Sequence, residues 1–338
     1  MNFYKKKSVS PLYAGLALAA AALLSAPILF SCSAMKTERH SLKIVNWNAQ
    51  TFFDGNNDGV EYSSFITSKK WSQDAYKERL QKLCKAIGQL NGDLVVLEEI
   101  ENLGIVYDIS NALAGNNWNP QKVYRYACFA KKENSSIGCA VLSRLPLQGL
   151  KVHSLDIQAE QSQAPSMRPL IEVDLFAPKR IKLFVNHWKS KGGGKAGGQD
   201  SAIWRRWQES LLAQKIIEAN EEDGGVPIIC AGDFNQDISE FRIVDGGAAN
   251  VSLSCPFSGQ KALVYSPWLD FAGQIGSYNF RDKWERIDHF FASGNLRLED
   301  FAPQTGEWSY EDGRPKSFRL HSLNGWSDHL PIACRATF

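Results

Sequence analysis

The sequence lacks several patterns that would place it at once in other classes of protein. It contains no C-x-x-C pair and no cysteine–histidine spacing that suits zinc, which excludes the common zinc-binding folds. It has no low-complexity tract and no repeat of the length that builds a solenoid. Residues 42–338 contain no Pro/Gly/Ser-rich linker long enough to divide them, so we expect this part of the chain to form one domain.

A strong excess of charge is also missing. The formal net charge is +2, and removal of residues 1–31, which carry three lysines and no acidic residue, brings it to −1. A near-neutral chain lacks the general basic surface of many nucleic-acid-binding proteins. Any anionic ligand therefore needs a local basic patch or a bound metal ion.

The first 31 residues have the pattern of an export signal. Three lysines, Lys5 to Lys7, precede an apolar run from about Leu12 to Phe30. The run ends in Leu29-Phe30-Ser31-Cys32, which resembles a bacterial lipobox with Cys32 as the lipidated residue, although Phe30 is larger than the strict pattern prefers. We therefore expect a signal peptide over residues 1–31, a lipid anchor on Cys32 and a short polar tether over residues 32–41.

This interpretation places the protein in the cell envelope, held to a membrane by lipid and facing the periplasm or the exterior. Two alternatives remain open. A cut after Ala34 would release a secreted protein. The apolar run also approaches the ~20 residues of a membrane span, so the segment could instead be retained as an anchor.

Strands and helices mix along the rest of the chain. Asp74–Leu90 and Ala202–Glu218 are predicted helices, the first because its apolar residues recur at helical spacing. Several predicted strands follow one another directly, which favours an α/β or α+β fold with substantial antiparallel sheet. The predicted strands are Leu42–Trp47, Leu94–Leu97, Ile137–Leu142, Leu170–Phe176, Ile181–Val185, Val226–Cys230, Ile287–Phe291 and Pro331–Thr337.

Polar and ionisable residues occur repeatedly where these predicted strands end. The segment Ile228–Asp237, with the sequence IICAGDFNQD, is the clearest case, because an apolar strand leads directly into an acid and an amide. A single Asp after a strand is usually a turn former, so one such site would mean little. The set is informative because it recurs, and strand ends that share a core can converge on one rim. Its members are Asn48, Glu98, Glu99, His187, Asp233, Asn235, Asp288, His289, Asp328 and His329.

This set is rich in oxygen ligands and free of sulfur. Carboxylates and amides suit Mg²⁺, Mn²⁺ or Ca²⁺. Histidines beside carboxylates suit proton transfer near neutral pH. Together they predict hydrolysis of a phosphate ester, in which a metal ion offsets the phosphoryl charge and a base activates water.

Seven motifs, in this order, resemble the endonuclease/exonuclease/phosphatase superfamily, which includes DNase I and exonuclease III. They extend from about Leu42 to Phe338 and read VNWN, LVVLEEIEN, IGCAVLSR, VNHWKSKGGG, AGDFN, WERIDH and SDHLPI. The resemblance implies a four-layer α/β sandwich, with two mixed β-sheets packed face to face and flanking helices. It also implies a metal-dependent catalytic domain over residues 42–338, with Mg²⁺ as the expected ion and Mn²⁺ or Ca²⁺ as alternatives.

The resemblance assigns metal binding to Glu99 and Asp328, with Asn48 beside them. The family usually has Gln directly before this Glu, and Glu98 stands there in this sequence. The change adds a negative charge beside the metal site but leaves the ligand in place.

The resemblance assigns the chemical step to the remaining residues. Asp233 would lie beside the attacking water or a second metal ion, and Asn235 would bind the phosphate. His187 would contact the phosphate or protonate the leaving group, and the acid that should orient it cannot be placed. His329 would be the general base, oriented by Asp288.

Three basic residues, Arg168, Lys189 and Lys191, are expected to contact the substrate. The two lysines lie in the Gly-rich segment Lys189–Gly198, which could equally be a solvated loop. The motif NHWKSKGGG resembles extracellular nucleases of the family, so we expect a monomeric nuclease that acts on DNA or RNA outside the cytoplasm.

Two alternative functions remain. The first is a phosphatase or a sphingomyelinase-type phospholipase of the same fold. The second, from another class, is a non-catalytic surface-binding lipoprotein. The sequence leaves open DNA versus RNA, endo versus exo action, and whether the six cysteines after Cys32 form disulfides.

Overall fold

Two β-sheets form the centre of the structure, a computed structural model that describes residues 40–338 except 116–122, 156–165, 193–198, 246, 248, 249, 257 and 295. The predicted signal peptide, the predicted lipid site at Cys32 and the tether up to residue 39 lie outside the described residues, as do residues 193–198 of the Gly-rich segment. Among the described residues, no helix has the length and apolar character needed to cross a membrane.

Sixteen strands and four α-helices are assigned in the described residues, and both are numbered along the chain. The strands are β1 (Ser41–Phe52), β2 (Leu94–Ile100), β3 (Tyr126–Ala130), β4 (Gly138–Ser143), β5 (Leu147–His153), β6 (Leu170–Phe176), β7 (Arg180–His187), β8 (Ile228–Asp233), β9 (Arg242–Ile243), β10 (Val251–Cys255), β11 (Gln260–Val264), β12 (Tyr278–Phe280), β13 (Lys283–Glu285), β14 (Asp288–Ser293), β15 (Arg297–Pro303) and β16 (Ile332–Thr337). The helices are α1 (Ser63–Ile66), α2 (Gln73–Leu90), α3 (Leu103–Gly115) and α4 (Gln199–Glu222).

Both large sheets are mixed, and each contains one parallel pair. The six-stranded sheet has the order β15-β16-β1-β2-β4-β3, with β1 and β2 parallel. The five-stranded sheet has the order β14-β8-β7-β6-β5, with β7 and β8 parallel. The other pairs in both sheets are antiparallel, so the direct succession of predicted strands is explained by hairpin connections.

The sheets pack face to face, and helices cover their outer faces. Alternate residues of β1 separate the two sides: Ile44 belongs to the core shared with the five-stranded sheet, whereas Val45 and Trp47 pack in the cluster that contains α2 and α3. Residues of α4, including Leu212 and Ile216, join the core on the other side. This is the expected four-layer α/β sandwich.

Helix α2 shows how local sequence fixes an element that later bears on the site. The hydroxyl of Ser72 accepts a hydrogen bond from the N–H of Ala75, and the helix ends at Asn91, whose φ of 49° is left-handed. Its inward face buries Leu83, Cys84 and Ile87, at the spacing that the sequence predicted.

The predicted elements all occur, with shifts of a few residues at their ends. The main additions are β3, β5, β15, α3 and the small sheets β11-β10-β9 and β12-β13, which the sequence pattern did not single out. No disulfide joins any two of the six cysteines in the described residues, and five of these cysteines are buried.

Candidate active site

The predicted site residues meet where the parallel strands of both sheets end. In the six-stranded sheet, Asn48 of β1 lies beside Glu98 of β2. In the five-stranded sheet, His187 of β7 lies beside Asp233 of β8, which in turn pairs with Asp288 at the start of β14. Because the sheets pack face to face, these side chains enter one space from both sides.

The segment AGDFN has its sequence because β7 and β8 come very close together at this point. Gly232 has a φ of 146°, and a Cβ atom there would lie 1.9 Å from the carbonyl oxygen of Asn186. Only glycine fits. Phe234 is fully buried and packs against the rings of Trp188 and Phe241, so it anchors the chain directly after Asp233.

Asp233 is held by three hydrogen bonds. Its Oδ1 accepts from the backbone N–H of Asn235 at 2.8 Å, and its Oδ2 accepts from the side-chain amides of Asn235 and Asn48, both at 3.0 Å. Burial raises the pKa of Asp233 to about 7, and the nearby charge of Asp288 acts in the same direction. Asp233 can therefore exchange a proton near neutral pH.

His329 forms a close pair with Asp288. Its Nδ1 lies 2.8 Å from Asp288 Oδ2, and its Nε2 lies 4.0 Å from Asp233 Oδ2. Burial alone would lower the pKa of His329, but the charge and hydrogen bond of Asp288, with the charges of Asp233 and Asp328, raise it well above its usual value. The raised pKa favours the imidazolium form of His329, in which Asp288 stabilises the positive charge.

His187 is in the opposite electrostatic state. Its Nε2 lies 3.6 Å from Asp233 Oδ2 and 3.8 Å from Glu99 Oε1, while its buried Nδ1 has no hydrogen-bond partner among the described residues. Burial lowers the pKa of His187 well below its usual value, and the charges of Arg168 and His329 lower it further. Within the described residues, no acid lies at Nδ1 of His187, so the orienting acid that could not be placed from the sequence is not found there. The lowered pKa favours the neutral ring.

Glu99 owes its direction to an irregularity in β2. Its φ of 62° is left-handed, and the register between β2 and its neighbours shifts at this position. Its Oε2 accepts a hydrogen bond from the backbone N–H of Thr51 at 2.6 Å, and its Oε1 lies 3.4 Å from the amide nitrogen of Asn48. The oxygen of the Asn48 amide accepts from the N–H of Gln50 at 2.9 Å, so Asn48 presents its nitrogen to Glu99 and to Asp233.

Glu98 lies beneath the site and is fully buried. Its Oε2 lies 3.4 Å from the amide nitrogen of Asn46, and its Oε1 has no hydrogen-bond partner among the described residues. Burial raises the pKa of Glu98 well above its usual value, and the charges of Asp288 and Asp233 raise it further. Glu98 is therefore a neutral acid, which resembles the usual glutamine of the family more closely than its sequence suggests.

His289, which the sequence pattern grouped with Asp288, does not join the site. It lies on the opposite face of the sheet, where its Nε2 is 2.8 Å from the carbonyl oxygen of Gln236 and its ring stacks on Phe291. Burial lowers its pKa to about 4. It is a neutral core residue.

The acids of the site fit a divalent cation. Glu99, Asp233 and Asp328 line one cleft, and within the described residues no lysine or arginine nitrogen lies within 4.0 Å of their carboxylates. Burial raises the pKa of Asp328, and the charge of Glu99 raises it further, which shows the cost of these uncompensated acids. Oxygen donors in excess of positive charge are what Mg²⁺, Mn²⁺ or Ca²⁺ would stabilise.

A second group could also offer ligand atoms, because one atom from each of Asp233, Asp288 and His329 lies within 4.8 Å of the others. The direct hydrogen bond between Asp288 and His329 instead makes these two a proton-transfer pair. Glu99 and Asp328 therefore stay the predicted metal ligands.

The cleft over these residues has a volume of about 490 Å³, and one wall of it is aromatic. Tyr278 packs against His329, with ring centroids 4.8 Å apart, and Phe280 stacks on Tyr278 at the rim with half of its side chain exposed. Lys191 also lines the cleft, but its Nζ lies 2.6 Å from Glu240 and 3.3 Å from Glu285. Its charge is therefore already compensated.

The other two predicted substrate-binding residues line a neighbouring pocket of about 250 Å³. Arg168 donates to the carbonyl oxygen of Trp188 at 2.7 Å, which holds its guanidinium next to the strand end that carries His187. Within the described residues, no carboxylate lies within 4.0 Å of the charged groups of Arg168 or Lys189. Burial lowers the pKa of Lys189, and the charge of Arg168 lowers it further.

Sequence reasoning missed several residues that shape the site. Ser327 accepts from the N–H of His329 at 3.0 Å and donates to the carbonyl oxygen of Asn48 at 2.6 Å, so it links the segment that carries His329 to β1. Arg79 of α2 donates to main-chain carbonyls of a turn near the end of β1. The only sequence signal for Arg79 is a cation on the buried face of an amphipathic helix.

Comparisons with known proteins identify the family and agree with the fold. A family model described as Endonuclease/Exonuclease/phosphatase family matches residues 43–310. No curated protein sequence matches the chain at a significant level.

Solved structures with a similar fold include two of TDP2 and one of a phosphatase. Truncated TDP2 from Caenorhabditis elegans is 15% identical, with a TM-score of 0.54 and coverage of 88% of this chain and 98% of that chain. TDP2 from D. rerio, complexed with a single-strand DNA product, is 17% identical, with a TM-score of 0.53 and coverage of 88% and 98%. A mannosyl-6-phosphatase from Bacteroides thetaiotaomicron is also 17% identical, with a TM-score of 0.52 and coverage of 88% and 100%.

Proposed function

The chain belongs to the endonuclease/exonuclease/phosphatase family, whose members hydrolyse phosphoester bonds, and we propose that it is a divalent-metal-dependent nuclease that acts outside the cytoplasm. The proposal extends the family assignment in three respects: the metal, the nucleic-acid substrate and the location. Each has its own support and its own test.

The observation that carries the nuclease proposal is the order of groups across the five-stranded sheet. Arg168 precedes β6 on one side, the acids and histidines lie at the ends of β7, β8 and β14, and Tyr278 and Phe280 lie on the far side against His329. A nucleic acid offers phosphates to the cationic side and flat bases to the aromatic side. The bound DNA product of the D. rerio TDP2 structure is consistent with such a substrate on this fold.

The residues of the site divide the chemistry between them. Asp233, with a pKa of about 7, can take a proton from an attacking water, and Asn48 and Asn235 hold its carboxylate in place. His329, charged and fixed by Asp288, can donate from Nε2 to a phosphoryl oxygen or to the leaving oxygen. This assignment moves the predicted base from His329 to Asp233.

The metal would be held by Glu99 and Asp328, with Asn48 beside them, and would supply positive charge against the phosphoryl oxygens. His187, being neutral, can either donate to or accept from the substrate through Nε2, which faces Asp233 and Glu99. Burial of these groups strengthens every electrostatic contact that they make with the phosphate.

The location rests on the sequence of residues 1–32, with a lipid on Cys32 as the proposed attachment. A single acyl chain binds membranes only marginally, so stable attachment implies more than one chain. Cys32→Ser should therefore release the protein from the membrane fraction and abolish incorporation of labelled fatty acid. Equal labelling of both proteins would rule out the lipid anchor.

The substrate is tested by a panel assayed with and without Mg²⁺: plasmid DNA, single-stranded DNA, RNA, sphingomyelin, inositol phosphates and mannose 6-phosphate. The expected result is Mg²⁺-dependent cleavage of a nucleic acid that is lost in Asp233→Asn. Preferential release of phosphate from the small esters would replace the nuclease by a phosphatase. Inactivity towards every member of the panel would favour the non-catalytic alternative.

A phosphatase is the second candidate, and one observation favours it. Lys191, the one cation that lines the cleft among its described residues, is compensated by Glu240 and Glu285, so this wall offers no free charge to an extended polyanion. A small phosphate monoester needs only the central acids and histidines. The relative rates on DNA and on mannose 6-phosphate decide between the two.

A further inference from the structure

The chain makes a turn near the end of β1, within the register shift between Asn48 and Phe52, and two consecutive non-glycine residues there have the left-handed conformation. Gln50 has a φ of 52° and Thr51 a φ of 47°. This conformation is unfavourable for a β-branched residue, so the surrounding structure must hold it. The two N–H groups of the turn are the donors that fix Asn48 Oδ1, at 2.9 Å, and Glu99 Oε2, at 2.6 Å. The shape of the turn therefore sets the direction of two residues assigned to the metal site.

Arg79 supplies the contacts that hold this turn from the side of α2. Its Nη1 donates to the carbonyl oxygen of Thr51 at 2.9 Å, and its Nη2 donates to those of Ala49, at 3.0 Å, and Gln50. The side chain is 4% exposed, which removes competition from water. Its guanidinium lies 3.7 Å from the centre of the Phe318 ring.

The opposite side of the turn is held by the chain segment around Phe318. The side-chain oxygen of Gln50 accepts from the N–H of Phe318 at 2.7 Å. Phe318 thus contacts the turn through its main chain and the guanidinium of Arg79 through its ring. Arg79 is the central member of this arrangement, because it contacts three successive carbonyls of the turn and the ring as well.

We propose that Arg79 is a positioning residue for the metal-binding half of the site: it holds the left-handed turn at Gln50 and Thr51, whose N–H groups aim Asn48 and Glu99. The inference rests on the proposed metal site, which the experiment below measures separately in the wild-type protein. Arg79 does not line the cleft that contains Glu99, Asp233 and Asp328. It acts through the main chain of the turn.

The geometry of the guanidinium matters as much as its charge. Three carbonyl oxygens are contacted by two nitrogens of one planar group that also stacks on a ring, and the single ammonium of lysine cannot reproduce this arrangement. Arg79→Lys keeps the charge and most of the length, so it isolates the loss of the planar fork. A displacement of ~1 Å at a catalytic group can cost about 10²-fold in rate.

The experiment measures Mn²⁺ binding by electron paramagnetic resonance, together with kcat and KM, in the full chain at a temperature where circular dichroism shows each protein to be folded. Arg79→Lys should bind Mn²⁺ about 10-fold more weakly and lose about 10²-fold in kcat with little change in KM, because the metal ligands are misaligned. Raising the metal concentration should recover part of the rate.

Tyr76→Phe is the matched control. Tyr76 lies one turn earlier on the buried face of α2, and its hydroxyl donates to Asp108 of α3 at 2.6 Å without contacting the turn. The control should lower the melting temperature and leave Mn²⁺ affinity within about twofold of wild type. A purely structural role for Arg79 predicts the same pattern in Arg79→Lys.

Phe318→Leu is the second variant if Arg79→Lys does not fold. It removes the ring against which the guanidinium stacks and should weaken Mn²⁺ binding in the same direction by a few-fold. Unchanged Mn²⁺ affinity in the folded variants would overturn the positioning role. A wild-type protein that binds no Mn²⁺ would instead overturn the metal site itself, so the two failures are distinct.

Discussion

Two clusters of buried charge lie on opposite faces of the five-stranded sheet, and they are balanced in opposite ways. On the outer face, Glu172 of β6 contacts Lys182, Lys151 and His153. Burial works to raise the pKa of Glu172, but these hydrogen bonds outweigh it and lower the pKa to about 2. On the inner face, Asp233 is surrounded by further acids, and its pKa rises to about 7.

The difference separates a structural cluster from a functional one. The acid at Glu172 is neutralised by cations of the chain itself, so the cluster is complete as it stands. In the inner cluster, His329 is the one cation that the described residues place against Glu99, Asp233, Asp288 and Asp328, so negative charge is in excess. This excess is unfavourable unless an external cation or a proton supplies the missing positive charge. An uncompensated set of buried acids is therefore a better guide to the site than buried charge in general.

The largest expected effect comes from Asp233→Asn. Removing the proposed proton acceptor should lower kcat/KM by about 10²–10⁴-fold. Because the substitution also removes an uncompensated buried charge, the metal-free protein should melt at the same temperature as wild type or higher. If the variant loses activity and its melting temperature also falls by several degrees, the inner cluster has a structural role like that of the outer cluster.

The next effect is the loss of the His329–Asp288 pair. His329→Ala should lower kcat by at least ~10²-fold, and Asp288→Asn should act in the same direction. The double variant should lose much less than the product of the two single losses, since the residues act as a unit. Rates of both single variants and the double variant provide the test, and strictly multiplicative losses would show that the two residues act independently.

Glu172→Gln tests the outer cluster and should affect stability alone. The loss of charged hydrogen bonds should cost roughly 1–3 kcal/mol in the free energy of unfolding, with activity within a factor of about two of wild type. A carboxyl whose pKa is lowered by folding stabilises the fold at pH values above its usual pKa of 4.5. This contribution disappears as the pH falls towards about 2. Urea titrations should therefore show the variant weaker at pH 7 and equal to wild type near pH 2.

The smallest effect is expected from Lys191→Met, because this lysine already pairs with Glu240 and Glu285 at a half-exposed position. Exposed ion pairs contribute about 0–1 kcal/mol to the free energy of unfolding, so the fold should tolerate the change. Because the charge of Lys191 is already compensated, KM on nucleic acid should change less than about threefold. Arg168→Met, which removes a cation without an acid partner in the described part of the chain, should raise KM by about tenfold or more. Equal effects of the two substitutions would mean that compensation of charge does not decide which cations bind substrate.

Apolar runs and polar strand ends are local patterns, so the sequence predicted the strands and the convergence of their ends. The four-layer sandwich and the pairing of Asp288 with His329 were implied by the resemblance to the family, and the structure places these two residues 2.8 Å apart. The sequence could not predict the protonation of His329 or Glu98, because a pKa depends on burial and on charges from distant parts of the chain.

The turn near the end of β1 was missed for a similar reason. Gln50 and Thr51 have no sequence signature of a left-handed turn, since glycine and asparagine are the residues usually found there. The conformation is imposed by Arg79, which lies on a different element. A tertiary contact outweighs the local conformational preference here, and the residues next to Gln50 and Thr51 in the sequence do not reveal it.

The pairing of β1 with β16 also determines when the protein can become active. The indole of Trp47 donates to the carbonyl oxygen of His329 across 282 positions of the chain, and β16 follows this histidine directly. A ribosome has therefore finished almost the whole domain before Asp288, His329 and Glu99 can assemble, and long-range pairings of this kind form slowly. A nascent chain, or one truncated before β16, therefore lacks the strand that pairs with β1 and should not hydrolyse phosphoesters. The site is complete only when one of the last segments of the domain has been made and has paired with one of the first.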